Sequence, residues 1–250
     1  MCWANVLGKC EGGISGEHIV TEGLWLGDSL GVQGLPWCRG GYKFISKASF
    51  TANILCRRHN SDLSPVDDAG KLAFAALRTV NDIHTTRTEM LERHVFFGRF
   101  DDVEHRINGP MFERWLLKTL INSEYASRQE YPVGANAKGA RVQPQLVEIA
   151  FGRRSFEGSA GLYAGASLRE AVNMRESFQY TSWIKDELGT SFVSAGEFMF
   201  YGFRFFLCLD PAGLPDSVQI GGRALGLVHR IRTANIEIEH KPSQRIEFSW

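Results

Sequence analysis

Leu72, Ala73, Ala76, Leu77, Val80 and Ile83 recur at helical spacing, which predicts a helix with one apolar face. Ser64-Pro65-Val66-Asp67 stands ahead of it, with a serine to cap, a proline for the first helical position and an acid at the third. The helix should run to about Arg93. The same period returns from Met111 to Tyr125, where Phe112, Trp115, Leu116 and Leu120 form a stripe behind Pro110. A shorter helix is predicted from about Gln145 to Phe151. Between the first two, "GRFDD" and "INGP" read as a loop, and the glycines from Gly152 to Gly165 read as turns.

From Tyr180 onward the pattern changes to β-prone runs: "YTSWI", "TSFVSAG", "EFMFYGFRFFLCL", "LGLVHRI", "ANIEIEH" and "QRIEFSW". Phe198 to Leu209 reads as one buried strand, and Lys241-Pro242-Ser243 as a hairpin turn between the last two runs. Before the helices, residues up to about Val20 predict a short knuckle and a strand with His18 at its end. Residues 21 to 48 predict an irregular connection with a second strand near Tyr42 to Ile45. The expected fold class is α+β: a metal-bound module (residues 1–75), a helical middle (76–155) and an antiparallel, β-rich end (156–250).

Composition narrows the class. With 44% hydrophobic and 22% charged residues the chain reads as globular, and no apolar run reaches the roughly 18 residues of a membrane span. The N-terminus lacks the long apolar core of a secretory signal, so the expected location is cytoplasmic. A reducing compartment favours metal sites or buried thiols over disulfides. Formal net charge is zero, so the whole molecule makes no case for a polyanion partner. Locally it does, because Arg39, Lys43, Lys47, Arg57 and Arg58 follow one another with no acid between them. That run suits either phosphate contacts or a solvated basic surface.

The candidate chemistry lies between Cys10 and Asp68. Cys56-x-x-His59 has the spacing of a zinc knuckle, and Cys10 and Cys38 are its natural completion. Buried free cysteines, or a site in which Cys2 replaces one of these ligands, stay open as alternatives. In "FERWLLK", Arg114 and Lys118 share a helix face that is either the solvated side of an amphipathic helix or a grip on a nucleic-acid backbone. The remaining histidines have no ligand-spaced partners.

"EH" at the end of a strand after a cysteine, then "LC-x-x-HN", then "LSPVD", resembles the HNH endonuclease family in its ββα-metal form. The resemblance covers about residues 2 to 75. It implies metal-dependent hydrolysis of phosphodiesters in DNA, with His18 as general base and Glu17 and Asp67 as ligands of a catalytic Mg2+ or Mn2+. Asn60 matches the asparagine that braces the histidine, and Lys43, Lys47, Arg57 and Arg58 would meet the phosphates. Such chemistry asks for an imidazole that titrates near neutrality, hard oxygen ligands for the catalytic ion and soft sulfur ligands for structural zinc. Pro65 predicts that the usual single helix is split. Asp67 could instead serve the helix start, leaving Asp68 as the ligand. The rival to the enzyme is a non-catalytic zinc module that binds nucleic acid or a protein partner.

Overall fold

The computed structural model describes residues 1–25, 27–35, 38, 41–94, 103–127, 131–135, 139–165, 167–168, 177–187, 189–210, 227–238 and 241–250. Arg39 and all of "GRFDD" lie outside them.

The first strands are β1 (Ile14–His18), β2 (Ser29–Gln33), β3 (Lys43–Ser46) and β4 (Thr51–Cys56). Among the described residues β1 pairs with β4 alone, antiparallel, His18 opposite Thr51 and Ile14 opposite Cys56, with a register shift between Ser15 and Gly16. Strand β4 runs directly into α1 (Arg57–Asp62), and Leu63 separates α1 from α2 (Ser64–Glu92). The element is therefore split where Pro65 required it. Ser64 does not cap, because it is already the first helical residue and the capping position belongs to Leu63, in helical conformation.

Along α2 the buried apolar side chains are Val66, Ala73, Phe74, Leu77 and Val80, whereas Leu72 is 74% exposed. The buried stripe thus runs through Phe74, one turn beyond Gly70, and Leu72 falls outside it. Gly70 lets the next long helix approach: a Cβ there would lie 2.3 Å from Trp115 Cδ1. The residues read as a loop before that helix contain β5 (Val103–Asn108), and Asn108 then caps α3 (Gly109–Ala126) by accepting a bond from the Met111 N–H at 3.1 Å. A short α4 (Pro144–Ala150) follows.

The remaining strands are β6 (Gly161–Gly165), β7 (Ser167–Leu168), β8 (Ser177–Glu187), β9 (Thr190–Phe200), β10 (Phe203–Cys208), β11 (Leu227–His229), β12 (Thr233–Ile238) and β13 (Lys241–Ser249). Seven strands form one sheet in the order β11-β6-β10-β9-β8-β2-β3, and four form another in the order β5-β13-β12-β7. The sheets are mixed, since β2 lies parallel to β8, β5 to β13 and β7 to β12. The glycine run expected as turns supplies β6, next to β10 inside the larger sheet. The apolar run Phe198–Leu209 is not one strand. Tyr201 and Gly202 take φ of 50° and 77°, the positive pair a tight two-residue hairpin needs, and fold β10 back on β9. Lys241 and Pro242 belong to β13, opposite Ile238 and Glu237, so the β12–β13 connection precedes the predicted turn.

Helix α3 lies at the centre. Phe112, Trp115, Leu116, Leu117, Leu120 and Ile121 are fully buried, and Trp115, Phe112, Phe74, Phe200 and Phe205 form a chain of ring contacts joining α3, α2 and the larger sheet. Burying each such ring is worth roughly 1.5–3 kcal/mol. One apolar core runs from Cys2 to Phe248. The segments 1–75, 76–155 and 156–250 share it, and β2 and β3 of the first join the sheet of the last.

Candidate metal centre

The N-terminal segment lies against β4, where the Trp3 N–H bonds the Ile54 carbonyl at 3.0 Å. It turns at Gly8 and Lys9, both at positive φ, and returns so that the Gly13 carbonyl accepts from the Arg57 N–H at 3.0 Å. This loop brings two cysteines to the corner where β4 becomes α1. The Nδ1 of His59 lies 3.3 Å from Cys2 Sγ, 3.7 Å from Cys10 Sγ and 3.3 Å from Cys56 Sγ. All four ligand atoms fall within 4.8 Å of one another. With Zn–S of about 2.3 Å and Zn–N of about 2.0–2.1 Å, a tetrahedral site separates nitrogen from sulfur by roughly 3.6 Å. The donor set and its spacing fit a zinc ion, and the four residues could hold one.

Cys38 is elsewhere. It is 2% exposed, its thiol points at the Val32 carbonyl at 4.0 Å, and its backbone closes a turn on Leu35. The expected set of Cys10, Cys38, Cys56 and His59 is therefore corrected to Cys2, Cys10, Cys56 and His59. The reason is topological: Cys38 belongs to the excursion from β1 to β4 whose strands join the larger sheet, while Cys2 rides on the loop that closes over β4.

Burial pushes the Cys2 thiol up, and desolvation of its sulfur together with the adjacent Cys2 pushes Cys10 up to about 12. Burial also opposes ionisation of Cys56, but hydrogen bonds outweigh it and hold that thiol below its ordinary value; one is donated by the His59 N–H, which caps α1 through sulfur at 3.5 Å. Burial pushes His59 down, which favours the neutral form that a ligand needs. A hydrogen bond with the Gly8 backbone acts the other way on His59, and is the kind of outer contact that fixes a metal-bound imidazole. Phe151, at the end of α4, stands edge-on to the ring at 5.5 Å and also meets Trp3.

At the other end of β1 the residues expected to serve catalysis take different positions. His18 is half-buried, and its carbonyl accepts from Asn122 Nδ2 at 3.3 Å. Asn60 is half-buried and donates to Ser15 Oγ at 3.4 Å. Glu17 and Asp67 do converge on a single cation, but that cation is Lys118. Its Nζ lies 2.5 Å from Glu17 Oε1 and 2.6 Å from each Asp67 oxygen. Asp67 Oδ1 also accepts from Thr21 Oγ1 at 2.8 Å, and Thr21 in turn accepts from Trp115 Nε1 at 2.8 Å. Asp67 thus makes no helix cap and its carboxylate is engaged by Lys118 and Thr21, while Asp68 pairs at the surface with Lys71. Glu17 is 4% exposed, and burial raises its carboxyl despite Lys118. Lys118, which the helix pattern puts on a solvated or DNA-facing side of α3, is 2% exposed. As arranged, the Glu17–Asp67 pair does not fit a catalytic Mg2+ or Mn2+, which would need room for several further oxygen ligands.

The basic residues divide into two groups. Lys43 lies on β3 and Lys47 just after it, ahead of β4, whereas Arg57 and Arg58 follow β4, whose six residues span about 20 Å at strand rise. Arg58 pairs with Glu11 at 2.7 Å, and Arg57 packs over Gly12. No family model, curated protein or solved structure matches the chain. No described helix is long and apolar enough to cross a membrane.

Proposed function

We propose that the chain is a zinc-stapled ββα protein of the HNH type that hydrolyses phosphodiester bonds in DNA, with His18 as general base. One arrangement supports the reading: β1 pairs with β4, β4 continues into α1, and a Cys3His cluster closes that corner while His18 sits at the far end of β1. Zinc at Cys2, Cys10, Cys56 and His59 would fix the corner and take no part in the reaction. The protein's own share of the chemistry is to hold an imidazole where it can take a proton from water beside a bound phosphate. Asn60 braces the start of β1 through Ser15, and Asn122 pins the His18 backbone.

The test is nicking of supercoiled plasmid by the full chain and by His18→Ala. The variant should lose about 100-fold or more in rate while keeping its zinc and its fold. Equal cleavage by the two proteins would remove His18 from the chemistry and the HNH reading with it.

A second reading, a non-catalytic zinc module that binds nucleic acid or a protein partner, is favoured by the Lys118 contact between Glu17 and Asp67. DNA binding without cleavage in either Mg2+ or Mn2+ would decide for it. The hydrolytic reading and a nucleic-acid-binding module both place phosphate near α1. Replacing Arg57 and Arg58 together should flatten the dependence of log affinity on log salt by about one unit for each phosphate that is no longer neutralised. An unchanged slope excludes α1 from the DNA-facing surface, and the same pair of measurements on Lys43 and Lys47 tests the opposite end of β4.

A further inference from the structure

We infer that Lys118 is the resident cation of the Glu17–Asp67 pair: its ammonium stands where a divalent ion would stand, and the pair binds none while Lys118 is in place. The inference concerns what occupies the pair and holds whether or not the chain cleaves DNA.

The geometry accounts for the full capacity of the ammonium. A lysine has three N–H donors and no acceptor, and the close oxygens are three: Glu17 Oε1 and both Asp67 oxygens. The same carboxylates meet further donors, Asn122 Nδ2 at 3.5 Å from Glu17 Oε1 and the Thr21 hydroxyl on Asp67 Oδ1. These donors are themselves anchored. Asn122 is held by Trp3 Nε1 at 3.0 Å, and Thr21 by Trp115. The three charged groups come from three separate elements, β1, α2 and α3, so the contact ties together the strand that carries His18, the helix after the metal centre and the central helix.

A divalent ion could enter only by displacing this group. Mg2+ and Mn2+ take about six oxygen ligands and keep several waters, whereas here Glu17 and Lys118 are 4% and 2% exposed. Displacement would also leave the ammonium buried without a partner, since the rest of the Lys118 side chain is enclosed in the middle of α3. A methionine in its place would end one atom short of the ammonium, so it would vacate the space between the two carboxylates and leave them with no cation, which is a site for one.

The probe is Mn2+ titrated into the full-length, zinc-loaded chain and followed by electron paramagnetic resonance of the free ion. Wild-type protein should bind no Mn2+ that Glu17→Gln removes. Lys118→Met should gain one Mn2+ site, and adding Glu17→Gln to that variant should abolish it. Mn2+ should also raise the melting temperature of Lys118→Met and leave that of the wild type unchanged. A wild-type site abolished in Glu17→Gln would overturn the inference, and that comparison needs no change at residue 118 should Lys118→Met fail to fold. A folded Lys118→Met that gains no site would overturn it as well, leaving the contact as an ordinary buried salt bridge. Because the readout is metal binding, the outcome is separate from that of the plasmid assay: a gained Mn2+ site upholds the inference whether or not the wild-type chain nicks plasmid, and the hydrolytic reading stands or falls with His18→Ala.

Discussion

Cys56→Ser should lose its zinc and a large part of its stability. Cys56 offers a ligand atom and also caps α1, so its sulfur would join a bound metal to the point where β4 ends. Structural zinc contributes an apparent 10–16 kcal/mol or so in isolated finger peptides. In a chain whose core extends from Cys2 to Phe248, part of that support is carried by packing instead. A loss of about 5 kcal/mol would lower the melting temperature by roughly 10–20 °C in a protein of this size. Elemental analysis and calorimetry of Cys56→Ser beside Cys38→Ser make the comparison sharp. Cys38→Ser should keep its full metal content, because Cys38 faces Val32 and lies outside the cluster. Equal loss from both variants would restore Cys38 to the ligand set.

Trp115→Ala should be the most damaging change away from the metal. The residue is fully buried, meets Phe74 and Phe112, and fills the gap left by Gly70. Removing such a ring costs about 3–5 kcal/mol. Here it also releases the Thr21 hydroxyl that helps hold Asp67. Trp115→Phe separates the two effects, since it keeps much of the ring and loses the N–H; its cost should be about 1 kcal/mol for the bond plus a small cavity term. Denaturant unfolding measures both. If Trp115→Ala and Trp115→Phe were equally stable, the ring packing would not be what holds α2 to α3.

Local rules carry the helices well. Pro65 splits α1 from α2, Pro110 marks the start of α3, and the 3.6-residue stripe finds the long helices to within a few residues. Strands are harder to read where their meaning depends on distant partners. Gly161–Gly165 looks like a turn until β10 and β11 flank it, and Val103–Asn108 looks like a loop until β13 lies parallel to it. The hairpin at Tyr201-Gly202 is hidden inside a largely apolar run, since most of both arms is buried and no cluster of polar turn residues separates them.

The site is half legible for the same reason. Cys56-x-x-His59 is a local spacing and can be read directly. The choice between Cys2 and Cys38 depends on which loop returns to β4, although Gly8 before Cys10 is a sign that the N-terminal loop turns back. The convergence of Glu17 and Asp67 follows from the motif, but the identity of their cation does not. The available signal is that Lys118 lies one turn from Trp115 and one from Asn122, both fully buried on α3. A lone lysine in that position must find carboxylates or remain outside the core.

Everything proposed for the N-terminal corner depends on Cys2, Cys10, Cys56 and His59 binding zinc together. X-ray absorption at the zinc edge on protein purified without chelator tests this most directly. The expected result is about one zinc per chain, with three sulfur neighbours near 2.3 Å and one nitrogen near 2.0–2.1 Å. A chain free of zinc, or a zinc with a different set of sulfur and nitrogen neighbours, would contradict it.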